Sequence, residues 1–259
     1  MLSDREYEKK LDEFNQLAGA VKSPPVPKLY IGAAKWKPER TPDPNNRDKQ
    51  GRSLDILAME ERYMRGEIKP DVDYTKIGRS LIRNYYNIVT GNFCSVGSTG
   101  TTWGDGNINY KNLSGTVISY GTYSIQPAGV ATTTYGNYLY QGIHVGTDNT
   151  AVSIDDYACI SQIAHGDGAG QLRYWDMLST AKSYNAGTRV WTQEYIRYFT
   201  NHSGGSITVS EMALVAIMKI YTTNRYFAIA RDLLSPALAI GNLEVLRCKY
   251  TCTFPAFPA

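Results

Sequence analysis

The chain has 259 residues, with 27 Lys and Arg against 24 Asp and Glu, so its formal net charge is +3. Charges this nearly balanced exclude the strongly basic surface of a dedicated nucleic-acid-binding protein. No apolar run approaches the ~20 residues that a transmembrane helix needs. The first ten residues, MLSDREYEKK, also lack the apolar region of a signal peptide. We therefore expect a protein that is synthesised in a cytoplasm and has neither a membrane nor a nucleic acid as its partner.

Charge density divides the sequence into two parts. Residues 1–91 contain 31 charged side chains, whereas the longer stretch of residues 92–259 contains 20. Glycine and tyrosine are concentrated in the second part. This difference predicts an N-terminal region over 1–91 and a separate domain over 92–259.

The N-terminal region begins with a predicted amphipathic helix. Its apolar stripe has the three- and four-residue spacing of one helical face, which needs a partner surface. Six prolines between residues 24 and 44 then favour an extended, polyproline-like chain. Apolar residues within this stretch indicate an arm that crosses a neighbouring subunit, or a segment that folds back onto its own domain. The candidate subunit-contact residues are Tyr7, Leu11, Phe14, Leu17, Leu29, Tyr30, Ile31 and Trp36.

Two further elements precede the second part. The stretch RSLDILAMEERYMRG predicts a second helix that ends at Gly66. The stretch TKIGRSLIRNYYNIV fits either a helix that ends before Thr90 or a strand that enters the next domain, and its periodicity does not separate the two.

The second part predicts a mainly β domain, an antiparallel β-sandwich with jelly-roll or immunoglobulin-like connections. Short alternating runs are separated by Gly, Asn or Pro. In RVWTQEYIRYFT both faces carry apolar residues, which predicts an inner strand or one covered by an interface. The stretch YFTNHSGGSITVSEMAL predicts a hairpin around NHSGGS. Further strands are predicted in GTVISYGTYSI, YGNYLYQGIHVG, AVSIDDYACISQI, RYFAIARDLLS and LEVLRCKYTCTF.

No motif indicates catalysis, a metal or a cofactor. The three histidines, His144, His165 and His202, are far apart in the sequence and no nucleophile motif accompanies them. HGDGAGQ lacks the Gly-Lys-Ser/Thr ending of a phosphate loop. The stretch that begins WGDGNINYKN has Tyr110 and Thr116 at the two positions where a calcium loop needs glycine and glutamate, which leaves weak calcium binding as a minor alternative. Asp155 and Asp156 are adjacent on a predicted strand, so they would face opposite sides. We expect a protein that is not an enzyme.

Three sequence blocks resemble structural proteins of tailed bacterial and archaeal viruses, most of which are uncharacterised. The resemblance covers about residues 142–254. The first block has the pattern G-T-x-x-T-A-V-S-x-x-D-Y, the second F-T-N-x-S-G-x-x-I-T-V-x-E, and the third a variant of L-x-A-R-D-x-L-S. These are carried by Gly146, Thr147, Thr150, Ala151, Val152, Ser153, Asp156 and Tyr157, by Phe199, Thr200, Asn201, Ser203, Gly204, Ile207, Thr208, Val209 and Glu211, and by Ala230, Arg231, Asp232, Leu234 and Ser235.

The resemblance implies a virion component, such as a capsid-surface, collar or tail protein, that works within a symmetric homo-oligomer. Its partners would then be further copies of itself and other virion proteins, and it would be assembled in the host cytoplasm. A second possibility is a carbohydrate- or receptor-binding module that binds host glycans, because exposed aromatic side chains can stack on sugars. An enzyme that uses one of the histidines is a third.

Overall fold

The computed structural model describes residues 28–78, 81–94, 103, 108–119, 126–129, 140–179, 182–220 and 223–255. The predicted first helix, with Tyr7, Leu11, Phe14 and Leu17, lies outside these residues. The described part is mainly β and its sheets are antiparallel, which confirms the predicted fold class at this level. No helix in these ranges is long and apolar enough to cross a membrane.

Thirteen strands and two helices are described. The strands are β1 (Lys28–Trp36), β2 (Val72–Gly78), β3 (Asn109–Lys111), β4 (Val117–Ser119), β5 (Gln126–Gly129), β6 (Gly142–Gly146), β7 (Arg173–Tyr174), β8 (Leu178–Ser179), β9 (Ser183–Asn185), β10 (Val190–Thr200), β11 (Ile207–Ile220), β12 (Thr223–Ile240) and β13 (Val245–Pro255). The helices are α1 (Leu54–Met64) and α2 (Arg83–Cys94).

Two sheets enclose the main core. The first has the order β2-β1-β13-β10-β7, with β8 and β9 also paired to β10. The second has the order β12-β11-β5, with β6 also paired to β11, and β3 and β4 form a separate pair. One buried cluster joins Ile31 and Tyr250 of the first sheet to Met212 and Leu214 of the second. A fully buried leucine such as Leu214 contributes about 2 kcal/mol to folding through the hydrophobic effect.

The second predicted helix is present as α1. Ser53 caps α1 by accepting a hydrogen bond from the backbone N–H of Ile56, and the helix ends just before Gly66. Its buried residues Ile56 and Met59 pack on the outer face of the first sheet beside Trp36. The ambiguous stretch that follows contains a strand and a helix, because β2 ends at Gly78 and α2 begins at Arg83. The helix continues to Cys94, past the end predicted before Thr90.

The predicted hairpin around NHSGGS is wrong. β10 belongs to the first sheet and β11 to the second, so residues 201–206 cross between sheets. The hairpin partner of β11 is β12, which pairs with it from Ile220 and Thr223 onward. Alternation of side chains identifies strands but does not say which strands pair, since a crossover and a hairpin turn use the same small polar residues.

The connection from β12 to β13 crosses back beside the first crossover, and Asn201 joins the two. The buried Asn201 amide donates to the carbonyl oxygens of Ile240 (2.7 Å) and Gly205 (2.8 Å). Its backbone N–H donates to the carbonyl of Glu244, and its own carbonyl accepts from Leu243. These bonds pair backbone groups that would otherwise be buried without partners.

The boundary predicted between 1–91 and 92–259 does not divide the structure. β1 and β2 precede it, yet β1 is hydrogen-bonded along its whole length to β13, from Lys28 opposite Thr253 to Trp36 opposite Val245. The first sheet therefore needs strands from both sides of the boundary. Charge density misled the prediction because much of the charge lies on α1 and its flanking loops, which cover the sheet.

The arm prediction for the β1 residues is also wrong. Leu29, Ile31 and Trp36 are buried by the chain's own side chains, and Tyr30 is half-buried on the same strand. No surface of the three buried side chains is left for another subunit. The alternative, a segment that folds back onto its own domain, is the one that the structure has. One of its two partner strands, β13, lies more than 200 residues away in the sequence.

Residues 151–163, which were predicted to form a strand, are a loop with turns and one isolated bridge at Gln162. Asp155 and Asp156 therefore do not lie on opposite faces of a sheet. Each carboxylate instead pairs with an arginine, Asp155 with Arg83 and Asp156 with Arg231.

Candidate functional site

The residues that carry the sequence resemblance meet in a buried ion network. Arg231 of β12 has no solvent exposure. Its Nε donates to Glu211 Oε2 at 2.7 Å, and its Nη1 donates to Asp156 Oδ2 at 2.9 Å. Its Nη2 donates to the carbonyl of Thr150 at 3.1 Å. One arginine thus links a residue of β11 to two residues of the loop over 147–162. We call Arg231, Glu211 and Asp156 the ion network.

Glu211 has a second task within the network. Its carboxylate accepts the backbone N–H groups of Ile160 (3.1 Å) and Ser161 (2.9 Å). Gly146 lies against this contact, and a Cβ on it would overlap both the Glu211 carboxylate and the carbonyl oxygen of Ser161. Only glycine lets the backbone approach this closely, which explains why the first block begins with that residue.

The hydrogen bonds of the network favour the charged form of Arg231. Burial alone would lower the pKa of Arg231, but its hydrogen bonds to Glu211 and Asp156 raise that pKa above its ordinary value. At the exposed rim, the hydroxyl and backbone N–H of Thr150 lower the pKa of Asp148. A buried charge is tolerated only when it is paired and hydrogen-bonded, so the network fixes one arrangement of the loop.

Two of the three histidines come together around one tyrosine. The rings of His144 and His165 lie 6.1 and 6.0 Å from the ring of Tyr174, both edge-on. His165 Nδ1 accepts the backbone N–H of Tyr174, and the Tyr174 hydroxyl donates to the carbonyl of Ile163 at 2.6 Å. These contacts hold β7 and the loop before it against β6.

Burial, together with the nearby positive charge of Arg197, lowers the pKa of His144 to about 3. Burial likewise lowers the pKa of Arg197 to about 10, and its Nη1 donates to the carbonyl of Ile143. His144 is therefore neutral at physiological pH. Within the described ranges, no three His, Cys, Asp or Glu side chains are grouped so as to hold a metal ion.

A second charged cluster attaches α1 to the first sheet. Glu60 accepts two hydrogen bonds from Arg247 of β13, both 2.7 Å, and one from the Tyr198 hydroxyl at 2.6 Å. Burial would raise the pKa of Glu60, but the hydrogen bonds and charge of Arg247 lower it. Trp36 packs beneath this cluster, stacked on Tyr63 with 5.9 Å between ring centroids. The charged cluster and Trp36 together hold α1 on the first sheet.

Three aromatic side chains remain exposed on the first sheet. Trp191 lies opposite Tyr184 of β9 on one side and Phe254 of β13 on the other. Opposite residues of antiparallel strands share a face, so the three rings form one row. Their exposed fractions are 46% for Tyr184, 48% for Trp191 and 41% for Phe254. We call these three residues the aromatic strip.

The strip is the continuation of a buried face. Along β10, Phe199 is fully buried and Tyr195 partly buried on the same face, because both lie under the second sheet. The second sheet does not extend over Trp191. An apolar groove of about 60 Å³ between Tyr195, Leu214 and Phe254 leads from the strip into the core. The alternation of β10 could be read from the sequence, but the point where the cover ends could not.

A larger, open groove of about 600 Å³ lies between β2 and the loop around Ser153. Its cationic side chain, Lys76, donates to the carbonyl of Leu233 and so ties the edge strand β2 to β12.

Comparison with known proteins finds no match for this chain: no family model, no curated protein and no solved structure is similar to it.

Proposed function

We propose that this chain is a non-enzymatic structural protein of a virion of a tailed bacterial or archaeal virus, a β-sandwich subunit of the capsid surface, collar or tail. It works as a symmetric homo-oligomer, is assembled in the host cytoplasm and is carried in the particle. Its partners are further copies of itself and other virion proteins.

One observation carries the proposal. The residues of the three resembling blocks serve to shape the molecule: Gly146, Glu211 and Arg231 hold a loop on the second sheet, and Asn201 joins the two crossovers. Residues that fix a loop and two crossovers are what a rigid building block requires, whereas a catalytic site needs residues that converge on a substrate cavity. The aromatic strip adds a surface suited to contact with protein, since aromatic residues are enriched in interfaces.

The first test of this proposal is the mass of the purified full-length chain in solution. We expect one closed oligomer with a fixed copy number, visible as symmetric particles by negative-stain electron microscopy. A chain that stays monomeric at all concentrations contradicts the assembly role. For the virion assignment, an antibody against the chain should label purified particles from the source culture. Signal confined to cell material without particles contradicts it.

A further inference from the structure

We propose that the aromatic strip is the docking surface for the apolar stripe of residues 1–27 from a neighbouring copy of this chain. The inference rests on the proposed homo-oligomer and names the contact that forms it. The stripe consists of Tyr7, Leu11, Phe14 and Leu17, which the sequence predicts on one face of a helix.

The exposure of the strip is the first argument. A Trp, a Tyr and a Phe stand in one row on three adjacent strands, each more than 40% exposed, and the rings of Tyr184 and Trp191 are 4.8 Å apart. Soluble monomers rarely display contiguous aromatic surface of this kind outside binding sites. Trp and Tyr are also the residues that most often dominate the energy of a protein contact.

The position of the N-terminal segment is the second argument. Lys28, the first described residue, pairs with Thr253, which precedes Phe254 in β13. The point at which residues 1–27 join the described chain therefore lies next to the strip, and every copy carries both a strip and a stripe. Twenty-seven residues precede Lys28, long enough to include the predicted helix and a linker.

Charge is the third argument. The exposed cations Lys182 and Arg189 flank Tyr184 and Trp191 in the sequence, and residues 177–193 contain no Asp or Glu. Residues 1–17 contain five acidic side chains and three basic ones. An acidic helix whose apolar face meets the rings would place its carboxylates near these cations, which favours this occupant over a basic peptide.

The prolines decide between a chain's own strip and that of its neighbour. Pro24, Pro25 and Pro27 predict a stiff, extended backbone between the stripe and β1. Docking on the chain's own strip needs a reversal at this stiff point. A stripe carried outward reaches the next copy instead. Such a contact joins two different surfaces, and it closes into a ring when the rotation from one copy to the next divides a full turn.

The experiment uses two full-length variants. The strip variant carries Tyr184→Ser and Trp191→Ser, and the stripe variant carries Leu11→Ser and Phe14→Ser. Met64→Ser, at a side chain on α1 that is 68% exposed, is the matched control for losing exposed apolar surface. Sedimentation across a concentration series measures assembly, and circular dichroism checks that each variant is folded.

We expect the control to assemble like the wild type. In each of the two variants the dissociation constant of assembly should rise about 30-fold, which is the size of effect that hot-spot residues have. A mixture of the two variants should form a heterodimer, since one contributes an intact strip and the other an intact stripe. This complementation is the signature of docking between copies.

Three outcomes overturn the inference. If both variants assemble like the wild type, the docking inference is overturned, although the proposed homo-oligomer stands. If both variants are monomeric and their mixture does not assemble, the stripe docks on the strip of its own chain. Saturable binding of oligosaccharides that requires Trp191, with unchanged assembly, assigns the strip to sugars.

A wild-type chain that is monomeric throughout contradicts the proposed function, and a separate measurement then decides the inference. A synthetic peptide of residues 1–22 is titrated into the stripe variant while tryptophan fluorescence is followed. Saturable binding that Trp191→Ser abolishes supports the strip as the docking surface. No binding overturns it.

Discussion

The ion network and the aromatic strip both depart from the usual distribution of side chains, in which charges are exposed and large rings are buried. Around Arg231 the protein buries charges completely, whereas at the open end of the first sheet it exposes three large rings. Buried charges are costly and exposed aromatic rings are prone to association, so neither arrangement is explained by the stability of a monomer alone. The comparison suggests a division of roles, in which the network fixes the shape of the subunit and the strip is kept for contact.

The largest effect is expected from breaking the network. Arg231→Met leaves the carboxylate of Glu211 buried without its partner, which should lower the free energy of unfolding by about 3–5 kcal/mol. The measurement is chemical denaturation. Arg65→Met is the matched control, because its partner Glu61 is largely exposed, and the loss there should stay below about 1 kcal/mol. Equal losses in the two variants would show that the burial of Arg231 is not what matters.

The pH dependence tests the second buried polar region. The ordinary pKa of histidine, 6.5, falls to about 3 for His144 in the folded chain. The unfolded chain therefore binds a proton below pH 6.5 that the folded chain excludes. Stability from this residue is complete above pH 6.5 and is lost as the pH falls toward 3, by about 2 kcal/mol between pH 6.5 and 5.

The matched variant is His144→Gln, which has no titrating ring. Its unfolding free energy should fall less than that of the wild type over the same pH interval. Parallel pH profiles for the two chains would contradict the assigned pKa.

A smaller loss is expected at the helix attachment. Glu60→Gln removes the charge that holds Arg247 and should destabilise the chain by about 1.5 kcal/mol. The effect is below that of Arg231→Met because Glu60 retains some solvent contact. The same substitution at Glu194, whose pair with Lys249 is about one quarter exposed, should cost less still. A loss at Glu60 as large as at Arg231 would show that partial exposure does not weaken this contact.

The sequence predicted what depends on neighbouring residues and missed what depends on distant ones. The alternation of β10 and the end of α1 next to Gly66 are local, and both were predicted. β1 was mistaken for an arm because its partner β13 lies more than 200 residues away. The loop around Asp155 was mistaken for a strand because its alternating apolar residues satisfy the same pattern.

The site was only partly accessible from the sequence, for the same reason. Gly146, Glu211 and Arg231 could be named from the resemblance, yet nothing in their spacing shows that they meet. The alternation of β10 puts Trp191 on the same face as Tyr195 and Phe199. The exposure of Trp191 depends on where the second sheet ends, which is a property of the whole fold.

The smallest effect on folding is expected at the aromatic strip. Trp191→Ser should change the free energy of unfolding by no more than about 0.5 kcal/mol, measured by denaturation at a concentration where the chain is dissociated, since nearly half of the side chain already contacts water. Trp175→Ser, at a tryptophan that is 2% exposed, should cost several kcal/mol, about 3 or more. If Trp191 proves as important for folding as Trp175, the strip is an extension of the core. If its loss leaves folding unchanged, the rings are exposed for a reason other than stability, and contact with another molecule is the physical explanation that remains.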